Sequence, residues 1–362
     1  MKHMLKDSTV LKEDLDRLVF SENINFDKLR NSNILITGIT GLIGSMLARS
    51  LIYFNVKKKL NINIYGVVRN IDKLNSIYNE EEIRSLHILC GDVLQDFNEY
   101  MDEKIKLDYI FHAASITSSR TMIMQPIKTI ITSVDGTNNI LRMAHEKEAK
   151  SVVYISSMEM YGNFLNDNLS GENCTEEKLG YIDPLKVRSN YPESKRMCEN
   201  LCVAYASELN VPVKIARLSQ TFGAGILPWE TRVFAQFAKS VIKNENIVLH
   251  TTGKSEGNYC YLTETIEGLF IVLLNGENAE AYNVSNEETH TTIEDMAQLV
   301  CSKIAEGRIK VIFDIPQDNV FGYAAETKLK LNSEKLRTLG WKPKIGLEEM
   351  YFRTIKYLRE QL

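Results

Sequence analysis

The sequence predicts an α/β fold: a Rossmann-type, doubly wound parallel sheet with a smaller α/β lobe toward the C-terminus. Three observations carry that expectation. Short apolar, β-rich runs alternate with segments of helical period between residues 33 and 217, as in a parallel sheet covered on both faces. The first run passes into a helix through a turn with glycine at 38, 41 and 44. Beyond residue 221 the alternation gives way to a Gly/Pro loop, helices and short strands, which marks a second lobe built on a different plan.

Taken in order, Leu11, Leu15, Leu18 and Val19 recur at helical spacing and predict a short amphipathic helix within residues 8–32. It is expected to pack on the main body or on a partner subunit. A strand at 33–37, an apolar-periodic helix at 42–53 and a second strand at 62–68 form the first βαβ unit. Strands follow at 85–90, 109–112, 151–156 and 211–217, each separated by a helical segment. Residues 222–229 read as a loop, 232–243 as a helix, 247–250 as a short strand and 262–274 as an apolar helix. Residues 281–284 read as a buried strand that rejoins the main sheet, and 292–306 and 347–360 as helices. The expected division is a helical extension (1–32), a Rossmann domain (33–220, with the strand near 281–285) and a lobe formed mainly by 221–362.

Composition bounds the class. Of 362 residues, 44% are hydrophobic and 25% charged, ordinary values for a globular protein. A net charge of −4 gives no electrostatic footprint for nucleic acid or an anionic membrane. The apolar stretch 269–274 is too short to cross a bilayer, and residues 1–7 are too polar for a signal peptide. Six cysteines are scattered along the chain. Cys198 and Cys202 lie one helical turn apart, but no further ligands follow at zinc-site spacing, so they read as buried apolar residues and no metal is expected. Reduced thiols suit a cytoplasmic protein.

In TGITGLIG (37–44) each glycine meets a mechanical need: a tight turn, close approach of a pyrophosphate, and close helix-on-strand packing. The helix behind the turn directs its N–H groups and positive dipole end at the phosphates. A dinucleotide held at Thr37, Gly38, Thr40, Gly41, Leu42, Ile43 and Gly44 is therefore expected. An NAD site places an acid at the end of the second strand, whereas an arginine suits a 2′-phosphate. Here that strand ends in Arg69 and Asn70, with no acid before Asp72, so NADP is preferred over NAD. Asp92, followed by Val93, ends the third strand, where its carboxylate could accept from the adenine amino group. His112, Ala113 and Ala114 end the fourth, and their small neighbours would let the cofactor lie against the backbone.

Tyr191 and Lys195 in YPESK (191–195) stand four residues apart and so on one helix face. An ammonium near a phenol favours the phenolate, and Lys195 would reach the nicotinamide ribose. Tyr191 could then exchange a proton with a substrate oxygen while hydride moves to or from the nicotinamide. The strand ending at Ser156 delivers Ser157 to the carboxyl end of the sheet, where ligands bind in doubly wound folds.

With these residues in hand, the chain resembles an extended short-chain dehydrogenase/reductase of the NAD(P)-dependent nucleotide-sugar epimerase/dehydratase family. TGITGLIG, HAAS (112–115), VDGTNN (134–139), SSMEMYG (156–162), YPESK, RLSQTFG (217–223) and LGWKP (339–343) fall in that family's order. The resemblance implies a nucleotide-diphospho-sugar held by the C-terminal lobe, with Ser157, Tyr191 and Lys195 as the catalytic triad. It also implies a homodimer built from the helices around 127–145 and 191–209, and places Ser115 and Gln220 at the substrate. The loop 163–190 is expected to shape the sugar pocket.

Two departures bear on the reaction. Dehydratases of the family carry Asp-Glu after the catalytic Ser or Thr, as acid and base across C5–C6. Here the positions read Met158-Glu159, so the base at Glu159 is kept and the acid is a thioether. Many relatives place an arginine where this chain has Gly257, which leaves Arg232 and Lys254 as candidates for the diphosphate. Ser133 replaces an asparagine before the VDGTNN segment, which alters any water relay behind Lys195. The expected enzyme transfers hydride at sugar C4 and is an epimerase or an unusual dehydratase. Alternatives are an NADPH-dependent 4-keto-6-deoxysugar reductase, and a cofactor-binding regulatory protein without turnover, against which the intact Ser157/Tyr191/Lys195 set argues.

Overall fold

A computed structural model of the protein describes residues 8–96, 101–163, 173–316 and 326–362. Its first element is α1 (Thr9–Val19), which Ser8 caps by accepting from the Leu11 N–H. Then follow β1 (Asn33–Thr37), α2 (Leu42–Lys58), β2 (Asn63–Val68), α3 (Ile71–Ile77), α4 (Glu80–Arg84), β3 (His87–Cys90), β4 (Tyr109–His112), α5 (Ser119–Met124) and α6 (Pro126–Glu146). The middle comprises β5 (Ser151–Ser157), α7 (Asn190–Leu209), β6 (Val213–Leu218), β7 (Gln220–Phe222), α8 (Val233–Lys243), β8 (Ile247–Leu249), β9 (Glu256–Tyr261) and α9 (Leu262–Asn275). Last come β10 (Ala281–Val284), β11 (Asn286–Thr292), α10 (Ile293–Leu299), β12 (Val311–Phe313), α11 (Glu334–Thr338) and α12 (Leu347–Glu360).

Seven of these strands form one parallel sheet in the order β3-β2-β1-β4-β5-β6-β10. Along β1, Ile34 and Ile36 enter one core with Leu47 and Leu51 of α2 and Leu269 and Phe270 of α9. Leu35 enters the opposite core with Ile140 of α6 and Cys198 and Cys202 of α7. That is the period-2 alternation of a strand covered on both faces. Strand order reverses between β1 and β4, and there the carboxyl ends open a crevice. Ala281–Val284 rejoins this sheet beside β6, as its apolar run predicted.

Beyond the main sheet lie two small ones, β7-β9-β11 and β8-β12. Sequence reading found no strand at β9, β11 or β12, and placed Gln220–Phe222 outside the strands. Their residues are too polar or too few for a period to show, and their pairing partners lie far along the chain. The helix expected at 292–306 begins one residue later, on the Thr292 cap, and widens into a π turn at Val300–Ile304.

The N-terminal helix is part of the body. Asp14 is fully buried. Its carboxylate accepts from Arg353 Nη2 of α12 at 2.7 Å and from the Tyr261 hydroxyl at the end of β9 at 2.6 Å.

Candidate active site

The turn after β1 is shaped for a ligand that approaches backbone. Gly38 has φ +70°, and a Cβ there would stand 2.8 Å from the backbone of Ala113 and Ala114. At Gly44 a Cβ would meet Gly38 O at 2.3 Å, so α2 can press onto the turn only without side chains. Gly41 caps α2 with no side-chain hydrogen bond, which leaves the first N–H groups of the helix, from Leu42 and Ile43 onward, for an anion. Thr40 sits in the turn itself. These features fit a dinucleotide pyrophosphate.

Beside the turn, a relay of hydrogen bonds fixes the end of β4. Thr37 Oγ1 accepts from the Ala114 N–H (3.1 Å) and meets His112 Nδ1 at 2.8 Å. His112 Nε2 meets Thr137 Oγ1 at 3.2 Å, and Thr137 donates to Ser133 O at 2.6 Å. Thr137 has one proton, already given to Ser133, so His112 donates from Nε2 and accepts at Nδ1. Burial, with the Lys195 charge adding to it, pushes the His112 pKa down to about 3. The ring is a neutral strut. The VDGTNN segment gains a mechanical account here: Gly136 leaves room for Val93, Thr137 holds His112, and Asn139 Nδ2 donates to Val93 O at 3.0 Å.

Past the ends of β2 and β3, Arg69 and Asp92 meet each other, Nη1 to Oδ2 at 3.3 Å, with Arg69 more than half exposed. Asn70 Oδ1 accepts from the Lys73 N–H at 2.8 Å and caps α3.

Ser157 ends β5 and Tyr191 lies in the first turn of α7. Burial raises the Tyr191 pKa and the Glu159 charge raises it further, while a hydrogen bond with Ser157 and the charges of Arg188 and Arg232 pull it down. Lys195 Nζ donates to Ile155 O at 2.7 Å and lies 5.7 Å from the centre of the Tyr191 ring. Burial lowers the Lys195 pKa to about 8. Glu159 follows in a 3-10 turn and accepts from Arg188 Nη2 at 2.9 Å. The fold thus brings Ser157, Glu159, Tyr191 and Lys195 together at the carboxyl end of the sheet. Ser115 Oγ, past the end of β4, is buried with no hydrogen-bond partner among the described residues.

Residues 34–285 match the family model described as NAD dependent epimerase/dehydratase family. The protein belongs to that family. UDP-glucuronic acid decarboxylase 1 of Danio rerio is 29% identical over 91% of this chain and 73% of its own. Human dTDP-D-glucose 4,6-dehydratase is 24% identical over 90% of each chain. Among solved structures, UDP-glucose 4-epimerase of Thermotoga maritima shares the fold, with TM-score 0.75 and 20% identity over 91% of this chain and 99% of that one. UDP-glucuronic acid 4-epimerase of Bacillus cereus, solved with UDP-glucuronic acid and NAD, has TM-score 0.72 and 20% identity, covering 91% of this chain and all of that one.

This epimerase/dehydratase-family enzyme places its remaining candidates unequally. Arg232 precedes α8, acts on the Tyr191 pKa and pairs with Glu230 at 2.6 Å. Gln220 is half-buried at the start of β7, in register with Tyr259. Lys254 is exposed on the turn before β9, and its backbone N–H donates to Thr252 Oγ1. Of the loop 163–190, residues 164–172 lie outside the described residues.

Sequence reasoning missed Arg188, whose only signal was a cation three residues before Tyr191. It also missed the buried brace under the site. Arg217 Nη2 bonds Glu199 Oε2 at 2.7 Å, and Glu199 Oε1 accepts from Ser156 Oγ at 2.5 Å. Arg196 donates to the carbonyls of Met160, Tyr161 and Gly180. Among the described residues no cluster suited to a metal occurs and no helix is long and apolar enough to cross a membrane.

Proposed function

We propose that this enzyme acts on a nucleotide-diphospho-sugar by hydride transfer at sugar C4, with NADP as the preferred dinucleotide. The convergence of Ser157, Lys195 and Glu159 on Tyr191, at the same carboxyl end of the sheet as the open N-terminus of α2, carries the reading. A bound nicotinamide supplies hydride acceptor and donor chemistry. Around it, Tyr191 exchanges a proton with O4 while Ser157 Oγ hydrogen-bonds the same oxygen. Lys195 holds the ribose hydroxyls. The Glu159 carboxylate stands at the C5 proton, and Arg188 keeps it oriented. Ser115 Oγ offers its hydroxyl to the sugar, Gln220 keeps an amide at the substrate, and Arg232, with Lys254 exposed on the turn before β9, serves the diphosphate end.

NADP is favoured by Arg69, which pairs with Asp92 in an exposed ion pair of the weak kind that a 2′-phosphate can displace. The sugar is held mainly by residues 221–362. A homodimer through α6 and α7 is supported by Ile127, Ile130, Ile131, Met197 and Val203, large apolar side chains exposed on those helices. Free thiols throughout fit a reducing, cytoplasmic setting.

A second reading, reduction of a 4-keto-6-deoxysugar by NADPH, is favoured by Met158. A thioether cannot protonate a leaving hydroxyl, whereas Tyr191, held as the phenol, is suited to donate to an alkoxide forming at C4.

The test is incubation with a panel of nucleotide sugars, following nicotinamide absorbance and product mass. An isomer formed without added cofactor establishes the epimerase, and a product lighter by water the dehydratase. Stoichiometric NADPH consumption with a keto-sugar establishes the reductase. Tyr191→Phe should lower kcat by about 10²–10⁴ while cofactor binding persists; unchanged turnover removes the assignment of Tyr191.

A further inference from the structure

Met158 stands between Ser157 and Glu159, and its side chain is packed on one side against a small buried cluster of Met160, Tyr161, Cys174, Leu329 and Leu331. On another side lies Gly257, early in β9. A Cβ built there would stand 3.6 Å from Met158 Cε, ordinary van der Waals contact. The end of β5, the backbone of β9 and the cluster holding Leu329 and Leu331 therefore meet around the Met158 side chain. Backbone and amide hydrogen bonds lock β9 to the segment 327–331, and that segment to Cys174. The Glu256 N–H donates to Thr327 O at 2.8 Å, the Leu331 N–H to Asn258 Oδ1 at 2.8 Å, and the Cys174 N–H to Lys330 O at 2.6 Å. Met158 is nonetheless only partly buried, as a wall residue of a site would be.

The two cations that act on Tyr191 are both engaged. Arg188 pairs with Glu159 and Arg232 with Glu230, whose carboxylate also accepts from the Thr231 and Arg232 N–H groups. The wall beside Ser157 thus presents a thioether and a bare backbone, and the two cations that act on Tyr191 are already paired.

We infer that Met158 and Gly257 form the specificity-determining wall of the sugar site, and that it takes a sugar whose C5 bears a methyl or only hydrogen and rejects one bearing a carboxylate. This rests on the nucleotide-sugar reading above, in which Glu159 stands at the C5 proton and Met158, its neighbour, borders C6. A methyl loses water against the thioether and gains packing. A carboxylate pressed against that thioether and glycine would lose water without gaining a donor from either, the costliest of the substitutions. A hydroxymethyl falls between, because an apolar wall rejects an added hydroxyl only weakly.

The experiment uses the full chain with its dinucleotide, and UDP- and dTDP-linked sugars in three series: 6-deoxyhexose or its 4-ketone, hexose, and uronate. The expected kcat/KM is at least 100-fold higher for the 6-deoxy series than for the uronate, with the hexose about 10-fold below the 6-deoxy sugar. Gly257→Arg, which adds a cation at the wall, and Met158→Gln, a near-isosteric donor, should each narrow the uronate gap at least 10-fold, each variant's own 6-deoxy rate serving as its reference for folding. Uronate turnover within 10-fold of the 6-deoxy sugar in the unaltered enzyme overturns the inference, and so does a gap that neither variant narrows. If no sugar nucleotide in any series is bound or turned over, the nucleotide-sugar reading itself falls, and this inference with it.

Discussion

Arg188 Nη2 and Glu159 Oε2 face each other across 2.9 Å, and their pair ties the chain leaving β5 to the turn that enters α7. Both charges also act on Tyr191, in opposite senses.

Removing either partner therefore moves the Tyr191 proton in a predictable direction. A nearby negative charge disfavours phenolate, so Glu159→Gln lowers the Tyr191 pKa; loss of the Arg188 cation raises it. The limb of the kcat/KM profile that reports Tyr191 is expected to move to lower pH in Glu159→Gln and to higher pH in Arg188→Ala. Shifts of the same sign in both variants would remove this electrostatic account.

Lys195 should leave a signature in stability. Its folded pKa is lowered by burial to about 8, from an ordinary 10.5. Below pH 8 both folded and unfolded chains carry the proton, and the folded state bears the cost of the buried charge. Between about 8 and 10.5 the unfolded chain binds more protons, so this group's contribution to stability rises with pH. The cofactor-free protein is expected to gain thermal stability relative to Lys195→Met as pH rises through that window. A constant difference between the two melting curves would contradict it.

At the cofactor's far end, Arg69→Ala should weaken NADP binding about 10- to 100-fold, the cost of one lost charged hydrogen bond to phosphate, and leave NAD binding nearly unchanged. Titration of both dinucleotides by fluorescence measures the ratio. Equal losses for NAD and NADP would place Arg69 away from the 2′-position.

Asp14 tests the N-terminal helix. Asp14→Ala leaves Arg353 and the Tyr261 hydroxyl in the interior without their shared acceptor. Breaking a buried ion pair from one side costs about 3 kcal/mol at the low end, and the low end applies because Arg353 keeps Glu13 at 3.1 Å. Denaturant unfolding should show that loss. A change below about 0.5 kcal/mol, the size of an ordinary surface substitution, would mean that α1 is only an appendage.

Much of the fold was legible because its signals are local. The strand at 33–37, the strand at 109–112, the strand at 281–284 and the helix at 347–360 coincide with observed elements, since each strand is a short run buried almost throughout, as in a parallel sheet covered on both faces, and the helix buries one face. Strands β9 and β11 were not legible. Glu256, Asn258, Asn286 and Glu287 carry no strand signal, and they become strand only because β7, β9 and β11 lend one another backbone partners 27 residues or more away.

The site divides in the same way. Spacing within one chain segment determined the glycine turn and the placing of Tyr191 and Lys195 on one helix face, because a turn and a helix are set by neighbours in sequence. Tertiary structure alone decided that Arg188 grips Glu159, that Asp92 pairs with Arg69, and that Met158 rests against Gly257, 99 residues along the chain. Those contacts depend on which strands lie side by side. Long-range packing, not local propensity, settles that order.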